Sequence, residues 1–218
     1  MRGVSLSLQT QQILGIVGRN GVGKTTFVKT IVGLLRVMDG SIFIRGQEVT
    51  ALDAHLISRM GIGYVPQGRG IFPRMTVYEH LLLGSYLIPQ KQHRMRMFEL
   101  IYDVFPILKA RANQLAGSLS GGEQEMLAIG RAIAGRPSIL ILDEPSEGVQ
   151  PNIVSQFGDI ILQLKESMGL SVILIDQNAD LIANCVDNAY AIDNGEVVSF
   201  LSKEEIQNEA KLSEVLSI

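Results

Sequence analysis

The chain has 218 residues, 46% hydrophobic and 19% charged, with a formal net charge of −3. Such a length fits one large α/β domain, and the composition allows a sizeable core and excludes disorder. The acidic balance argues against a nucleic acid held by global electrostatics, and a single cysteine excludes an internal disulfide and agrees with a reducing compartment. No apolar run approaches the roughly 18 residues of a membrane span. The apolar stretch after Arg2 is broken by QTQQ at 9–12, so no signal peptide is expected, and the chain reads as soluble and cytoplasmic.

In chain order, the first element is ILGIV (13–17), apolar at every position; ILIL (139–142) and VILI (172–175) are the same. Runs without alternation are how strands buried on both faces of a parallel sheet read. The first is followed by Gly18, Arg19, Asn20, Gly21, Val22, Gly23, Lys24, Thr25 and Thr26. This satisfies G-x-x-x-x-G-K-[ST] after a strand and before a helix. The glycines let backbone N–H groups wrap toward phosphate oxygens, and the helix N-terminus adds positive potential. Lys24 supplies a charge for the β and γ phosphates, and Thr25 a hydroxyl for Mg²⁺. A ligand-free glycine turn is the bland alternative, but the match arises by chance in roughly one chain per hundred. The motif therefore predicts a bound nucleoside triphosphate.

The spacing of Phe27, Ile31, Leu34 and Leu35 predicts a helix after Lys24 with those four on one face. Residues 40–50 predict a small hairpin-like element with turn glycines. Residues 76 to about 118 hold no strand pattern and predict helices interrupted near Pro89 and Pro106, a helical insertion in the α/β domain. The basic run KQHRMR (91–96) reads as a solvated helix face rather than a nucleic-acid patch. LSGGEQ (119–124) opens another helix, with Ser120 at the N-cap and Glu123 completing a capping box. Capping leaves Gly121 and Gly122 unexplained, since glycine in a helix costs roughly 1 kcal/mol relative to alanine. A second phosphate approached by backbone N–H groups explains them. Met126, Ile129 and Ile133 continue that helix, which Gly135 and Pro137 stop. ILILDE places Asp143 and Glu144 at a strand's carboxyl end, where α/β sheets bind ligands. Asp143 there can reach the Mg²⁺ shell, and Glu144 can activate a water beside the γ-phosphate. Capping of the next helix is the plain alternative for this acid pair. Cys185 reads as a small buried hydrophobe. No repeat, low-complexity tract or linker is visible.

The Gly18–Thr25 loop, YVPQ ending at Gln67, LSGGEQ and ILILDEP stand in the order and spacing of an ABC-transporter ATPase subunit, which the chain resembles over essentially its whole length. LSGGEQ is specific to that family. The resemblance implies an α/β P-loop NTPase core with a parallel sheet, a small antiparallel β element near the N-terminus and an inserted helical subdomain. The division is one domain over 1–218, with 1–75 and 119–218 as the core and about 76–118 as the helical subdomain. It implies ATP and Mg²⁺, with two ATPase subunits head to tail and each ATP between one subunit's phosphate loop and the other's LSGGEQ. Lys24 and Thr25, with the rest of the loop, would hold phosphate and Mg²⁺. Gln67 would touch the metal and the attacking water and sense the membrane partner. Ser120, Gly121 and Gly122, with Glu123 beside them, would bind ATP across the interface. Asp143 would support Mg²⁺, and Glu144 would be the catalytic base.

GRNGVGKTT, YVPQGRGIFPRMTVYEHL, GGEQEMLAIGRA and DEPSEGVQP resemble, more narrowly, the importers of branched-chain amino acids, urea and short amides, the last phrase looking most like the urea branch. This implies two membrane permease subunits, a second ATPase subunit (paralogue or second copy), a solute-binding protein indirectly, and no nucleic acid. The chain would be peripheral on the inner face of the cell membrane. A DNA-repair or ribosome-associated ABC ATPase is disfavoured, because 95 positions separate Thr25 from Ser120, too few for a long coiled coil, and the chain has one cassette. A regulatory module without turnover is disfavoured by Glu144.

Three positions depart from the general family pattern. Residues 1–26 hold no Phe, Tyr or Trp to stack on adenine, so weaker, less base-selective ATP binding is expected. Gln150 stands where Asp is usual, which fits the importer group and is expected to loosen coupling between ATP sites. Gln177 stands where a histidine usually bonds the γ-phosphate, and His55, His80 and His93 all lie far upstream. A Gln amide keeps a donor of comparable reach but does not titrate near neutrality. Base duty then falls to Glu144, with Gln177 and Gln67 assisting.

Overall fold

The computed structural model of the protein describes residues 3–216. The chain opens with β1 (Ile13–Val17), α1 (Lys24–Ile31), the short strands β2 (Phe43–Ile44) and β3 (Gln47–Glu48), α2 (Ala54–Arg59) and β4 (Ile62–Val65). Helices α3 (Val77–Gly84), α4 (Lys91–Val104), α5 (Pro106–Ala110) and α6 (Gly121–Ile133) follow. The remainder is β5 (Ile139–Asp143), α7 (Pro151–Met168), β6 (Ser171–Ile175), α8 (Ala179–Cys185), β7 (Asn188–Asp193), β8 (Glu196–Leu201), α9 (Lys203–Ile206) and α10 (Glu209–Leu216).

The strands form one sheet in the order β4-β5-β6-β1-β7-β8, parallel except for β8 at the edge, and β2 with β3 makes a separate antiparallel pair. The three apolar runs are therefore neighbours in the middle of the sheet, with Ile13 opposite Val172 and Ile139 opposite Ser171. Successive side chains of a strand point to opposite faces. Ile16, Ile141, Ile173 and Ile175 pack with Val28 of α1 and Ile57 of α2, while Val17, Leu140, Leu142, Val172 and Leu174 join a second core built with α6, α7 and α8. Strands β1, β5 and β6 thus bury both faces, at about 1.5–3 kcal/mol per large aliphatic side chain, which is why their sequences do not alternate.

Helix α1 corrects one expectation. It ends at Ile31, not at Leu35, because Gly33 turns left-handed at φ +75° and the amides of Leu34 and Leu35 fold back onto the Lys29 carbonyl at 2.8 and 3.0 Å. Leu34 and Leu35 are exposed, Phe27 and Ile31 are partly covered, and Val28 and Val32 are the buried side. Gly33 is a helix C-terminal signal that an unbroken hydrophobic spacing overrode.

The segment 76–118 is helical, with no named strand among its residues. It breaks between α3 and α4 around Pro89, and Pro106 is the first residue of α5, where its missing N–H is harmless. Thr76 and Glu79 form a full capping box at the start of α3, which lies against α6. The run 91–96 is the largely exposed start of α4, and Cys185 is fully buried, its thiol donating to the Leu181 carbonyl. No helix among the described residues is long and apolar enough to cross a membrane.

Candidate nucleotide-binding site

The loops after β1, β4, β5 and β6 all leave the carboxyl ends of adjacent parallel strands, which is where an open α/β sheet leaves a crevice. The first is the glycine loop. Gly18, Gly21 and Gly23 all have positive φ, and a Cβ on Gly18 would sit 2.2 Å from the Ile192 carbonyl oxygen. Gly23 is the N-cap of α1 and places no side chain on its first amides, so the helix opens toward the loop with its own donors. A cavity of about 200 Å³ lies there, lined among others by Asn20, Gly21, Lys24, Thr25, Gln67 and Glu144. Gly21 has open space around its Cβ position, and Arg19 and Asn20 are exposed beside it.

Lys24 is buried, and its ammonium donates to the Gly18 carbonyl at 2.7 Å and the Arg19 carbonyl at 2.9 Å. It also stands 3.4 Å from the Glu144 carboxylate. Glu144 has a left-handed backbone (φ +55°), and its amide bonds the Ile175 carbonyl of the neighbouring strand. A non-glycine residue held there signals a constrained functional turn. Burial pushes its carboxyl up, against the Lys24 charge that pulls it down. The Gln67 amide donates to both Glu144 and Glu147, each at 3.0 Å.

Asp143 is buried behind the cavity wall and reaches it through Thr25. It accepts from the Thr25 hydroxyl at 3.4 Å and from the Tyr64 hydroxyl at 3.2 Å. Burial raises Asp143, opposed by those hydrogen bonds and by Lys29 and Lys24, and burial with the Asp143 charge raises Tyr64. A hydroxyl and a carboxylate side by side are hard oxygen donors of the kind Mg²⁺ takes alongside phosphate oxygens.

Residues 1–147 match the ABC transporter family. The chain belongs to that family. It is 40% identical over 195 residues to a protein of Pseudomonas aeruginosa named as a high-affinity branched-chain amino acid transport ATP-binding protein, covering 89% of this chain and 83% of that one. It is 38% identical to the lipopolysaccharide export system ATP-binding protein of Haemophilus influenzae, covering 97% and 88%. A crystal structure of a nucleotide-free ATP-binding cassette from an ABC transporter superposes with a TM-score of 0.83 at 27% identity, covering 98% of this chain and 90% of that one. As an ABC ATPase domain, the chain binds and hydrolyses ATP.

In this ABC domain the signature segment lies at the start of α6, outside the cavity of its own chain. Ser120 caps the helix, accepting from the Glu123 amide, while the Glu123 carboxylate accepts from the Ser120 amide and pairs with Arg111 at 2.9 Å. The capping box is thus as read, and the Glu123 side chain is committed to it. The two glycines have a reason within the chain as well. A Cβ on Gly121 would stand 3.1 Å from the Gly148 carbonyl oxygen and 3.3 Å from the Arg69 guanidinium, and one on Gly122 would stand 2.9 Å from Ile153.

Gln177 is exposed in the loop after β6, and its backbone amide donates to Asp176. Gln150 is the N-cap of α7 but makes no side-chain capping bond, an omission an Asp would repair. Several residues went unread in the sequence. Asp176, fully buried, accepts from the Ser146 hydroxyl at 2.7 Å and from the amides of Ser146, Gln177 and Asn178, so it joins the loop after Glu144 to the loop holding Gln177. An acid ending an apolar strand was its signal, the same one that marked Asp143. Tyr64, Glu147, Arg69 and Glu125 carried no comparable pattern.

Proposed function

We propose that this chain is the ATP-hydrolysing subunit of an importer for branched-chain amino acids or a related amide such as urea. The observation that carries the chemistry is Glu144, held at the end of β5 between the Lys24 ammonium and the Gln67 amide. In this reading Lys24 turns from the Gly18 and Arg19 carbonyls toward the β and γ phosphates, and the loop amides from Gly18 to Thr26 cradle them. The Thr25 hydroxyl, the Asp143 carboxylate and Gln67 are the donors that would hold Mg²⁺, which when bound neutralises charge on the phosphates. Glu144, raised by burial, takes the proton of the attacking water, and Gln67 and Gln177 orient it through their amides. Ser120, Gly121 and Gly122 of one subunit face the ATP of a second, which is either a paralogue or another copy.

Residues 1–75 and 119–218 form the nucleotide-handling body in this proposal, and 76–118 the part that moves. The motion reaches two permease subunits on the cytoplasmic side of the membrane through Phe72, which is half exposed between the His80 ring and the Arg131 guanidinium, each 5.8 Å away. The solute class rests on the 40% identity to the branched-chain amino acid transport protein. The urea-type alternative rests on SEGVQP, whose Glu147 binds Gln67. Reconstitution with candidate permease subunits and a solute-binding protein for branched-chain amino acids or urea tests the proposal. ATP-dependent vesicle uptake of leucine or of urea is the expected result. Absence of any permease association, with ATP hydrolysis indifferent to added permease, would refute it.

A further inference from the structure

Between Gln67 and the segment around Phe72 lies a turn that neither the glycine loop nor the catalytic pair accounts for. Gly68, Arg69 and Gly70 are all left-handed, at φ +77°, +69° and +57°. Two glycines adopt this freely, but Arg69 does so at a steric cost, so its surroundings must impose it. They do: Arg131 of α6 donates to the Gly70 carbonyl at 2.6 Å and to the Arg69 carbonyl at 2.9 Å. The result aims the Arg69 guanidinium at two segments at once, the first turns of α6 and the loop after β5. Its Nε donates to the buried Glu125 at 3.2 Å, one Nη to the Gln124 amide oxygen at 3.5 Å, and the other to the Glu147 carbonyl at 3.1 Å.

These bonds close a continuous path. Lys24 meets Glu144, Glu144 and Glu147 share the Gln67 amide, the Glu147 backbone accepts from Arg69, and Arg69 grips the first turns of α6 at Gln124 and Glu125. That helix begins with Ser120–Gly121–Gly122, and Gly121 is the position whose missing side chain leaves room for the guanidinium. We propose that Arg69 is a positioning residue that ties the signature segment to the Gln67–Glu144 pair, so that phosphate binding at Lys24 reorients the surface this chain presents to its partner's ATP. The assignment rests on the proposed phosphate site. A planar fork with several fixed donors is required, which lysine cannot supply. Burial raises the Glu125 carboxyl to about 7, opposed by the Arg69 charge and hydrogen bond.

Hydrogen–deuterium exchange on the full chain, kept monomeric by dilution and checked by sedimentation, tests this with ADP and ATP as probes. In wild type, nucleotide protects the amides of 18–25 and changes exchange at 120–127. In Arg69→Ala and Arg69→Lys, protection of 18–25 persists while the response at 120–127 falls at least fivefold. Arg69→Lys keeps a cation for Glu125, so its melting temperature stays near wild type, separating loss of the link from loss of the fold. In the assembled ATPase the same variants lower kcat with KM for ATP within about twofold. An undiminished response at 120–127 in both variants, or none in wild type, overturns the role of Arg69. Absence of protection at 18–25 in wild type overturns the phosphate site, and the proposal with it.

Discussion

Glu144 and Gln177 illustrate how one position can be structurally committed and another open. Glu144 sits on a strained backbone, anchored by the Ile175 carbonyl, and its carboxylate is bound by Lys24 and Gln67. Gln177 is exposed, and its backbone rather than its side chain is held, by Asp176. A base is typically worth 10²- to 10⁴-fold in rate, whereas one hydrogen-bond donor among several is worth far less, about 0.5–1.5 kcal/mol net. Glu144→Gln should therefore lower kcat for ATP by about 10²-fold or more while ATP binding persists. Gln177→Ala should lower it by about tenfold or less, since roughly 1.4 kcal/mol is tenfold. Steady-state phosphate release measures both, and equal, total loss in the two variants would defeat this division of roles.

At the scale of elements, the connection from β4 to α3 is fastened by side chains of α3 and α6. Besides the Arg131 clamp, the buried His80 ring accepts the Phe72 amide at 3.0 Å through Nε2. That assignment leaves its Nδ1–H to donate to the Thr76 carbonyl at 2.9 Å, so the neutral ring satisfies both bonds. Burial lowers the His80 pKa below its ordinary 6.5, with the Arg131 charge assisting and the Thr76 bond and Glu79 opposing. A depressed folded-state pKa means that the contribution is complete above about 6.5 and is lost as pH falls below it. The Phe72 amide should accordingly lose protection relative to its intrinsic exchange rate, and stability decline, on acidification below pH about 6.5. His80→Ala should flatten that limb. Urea unfolding and amide exchange between pH 5 and 8 check this, and an unchanged acid limb in the variant would refute it.

At the scale of the molecule, one central sheet separates two cores and gathers four loops at the carboxyl ends of its parallel strands, and the loops after β1, β4 and β5 line the cavity. Ligand held by the folded form alone stabilises it by RT ln(1 + [L]/Kd), about 2.7 kcal/mol at 100 Kd. Residues 1–26 offer no aromatic for adenine, and such stacking is worth roughly 1–3 kcal/mol per base elsewhere. For the 218-residue chain itself, ATP and GTP should thus raise the melting temperature alike, with affinities within about tenfold of each other, corresponding to roughly 1.4 kcal/mol. A thermal-shift titration decides it, and a preference for ATP of a hundredfold or more would contradict it.

The sequence by itself determined the central strands, the glycine loop, the capping box at Ser120, the helical insertion and the acids Asp143 and Glu144. All of these are written in contiguous residues: apolar runs, fixed motif offsets, or a cap three positions from its partner. Where local signals competed, as at Gly33, a hydrophobic spacing running past the helix end misread it. Tertiary structure alone decided that Asp176 joins two loops, that Gln67 is shared by Glu144 and Glu147, and that Arg69 reaches Gln124 and Glu125. Those partners are up to 80 positions apart and carry no periodicity. Gln67, Glu144, Glu147 and Asp176 meet because parallel pairing brings the ends of β4, β5 and β6 side by side. Arg69 meets Gln124 and Glu125 because Arg131, on the same helix as both, holds its turn against α6.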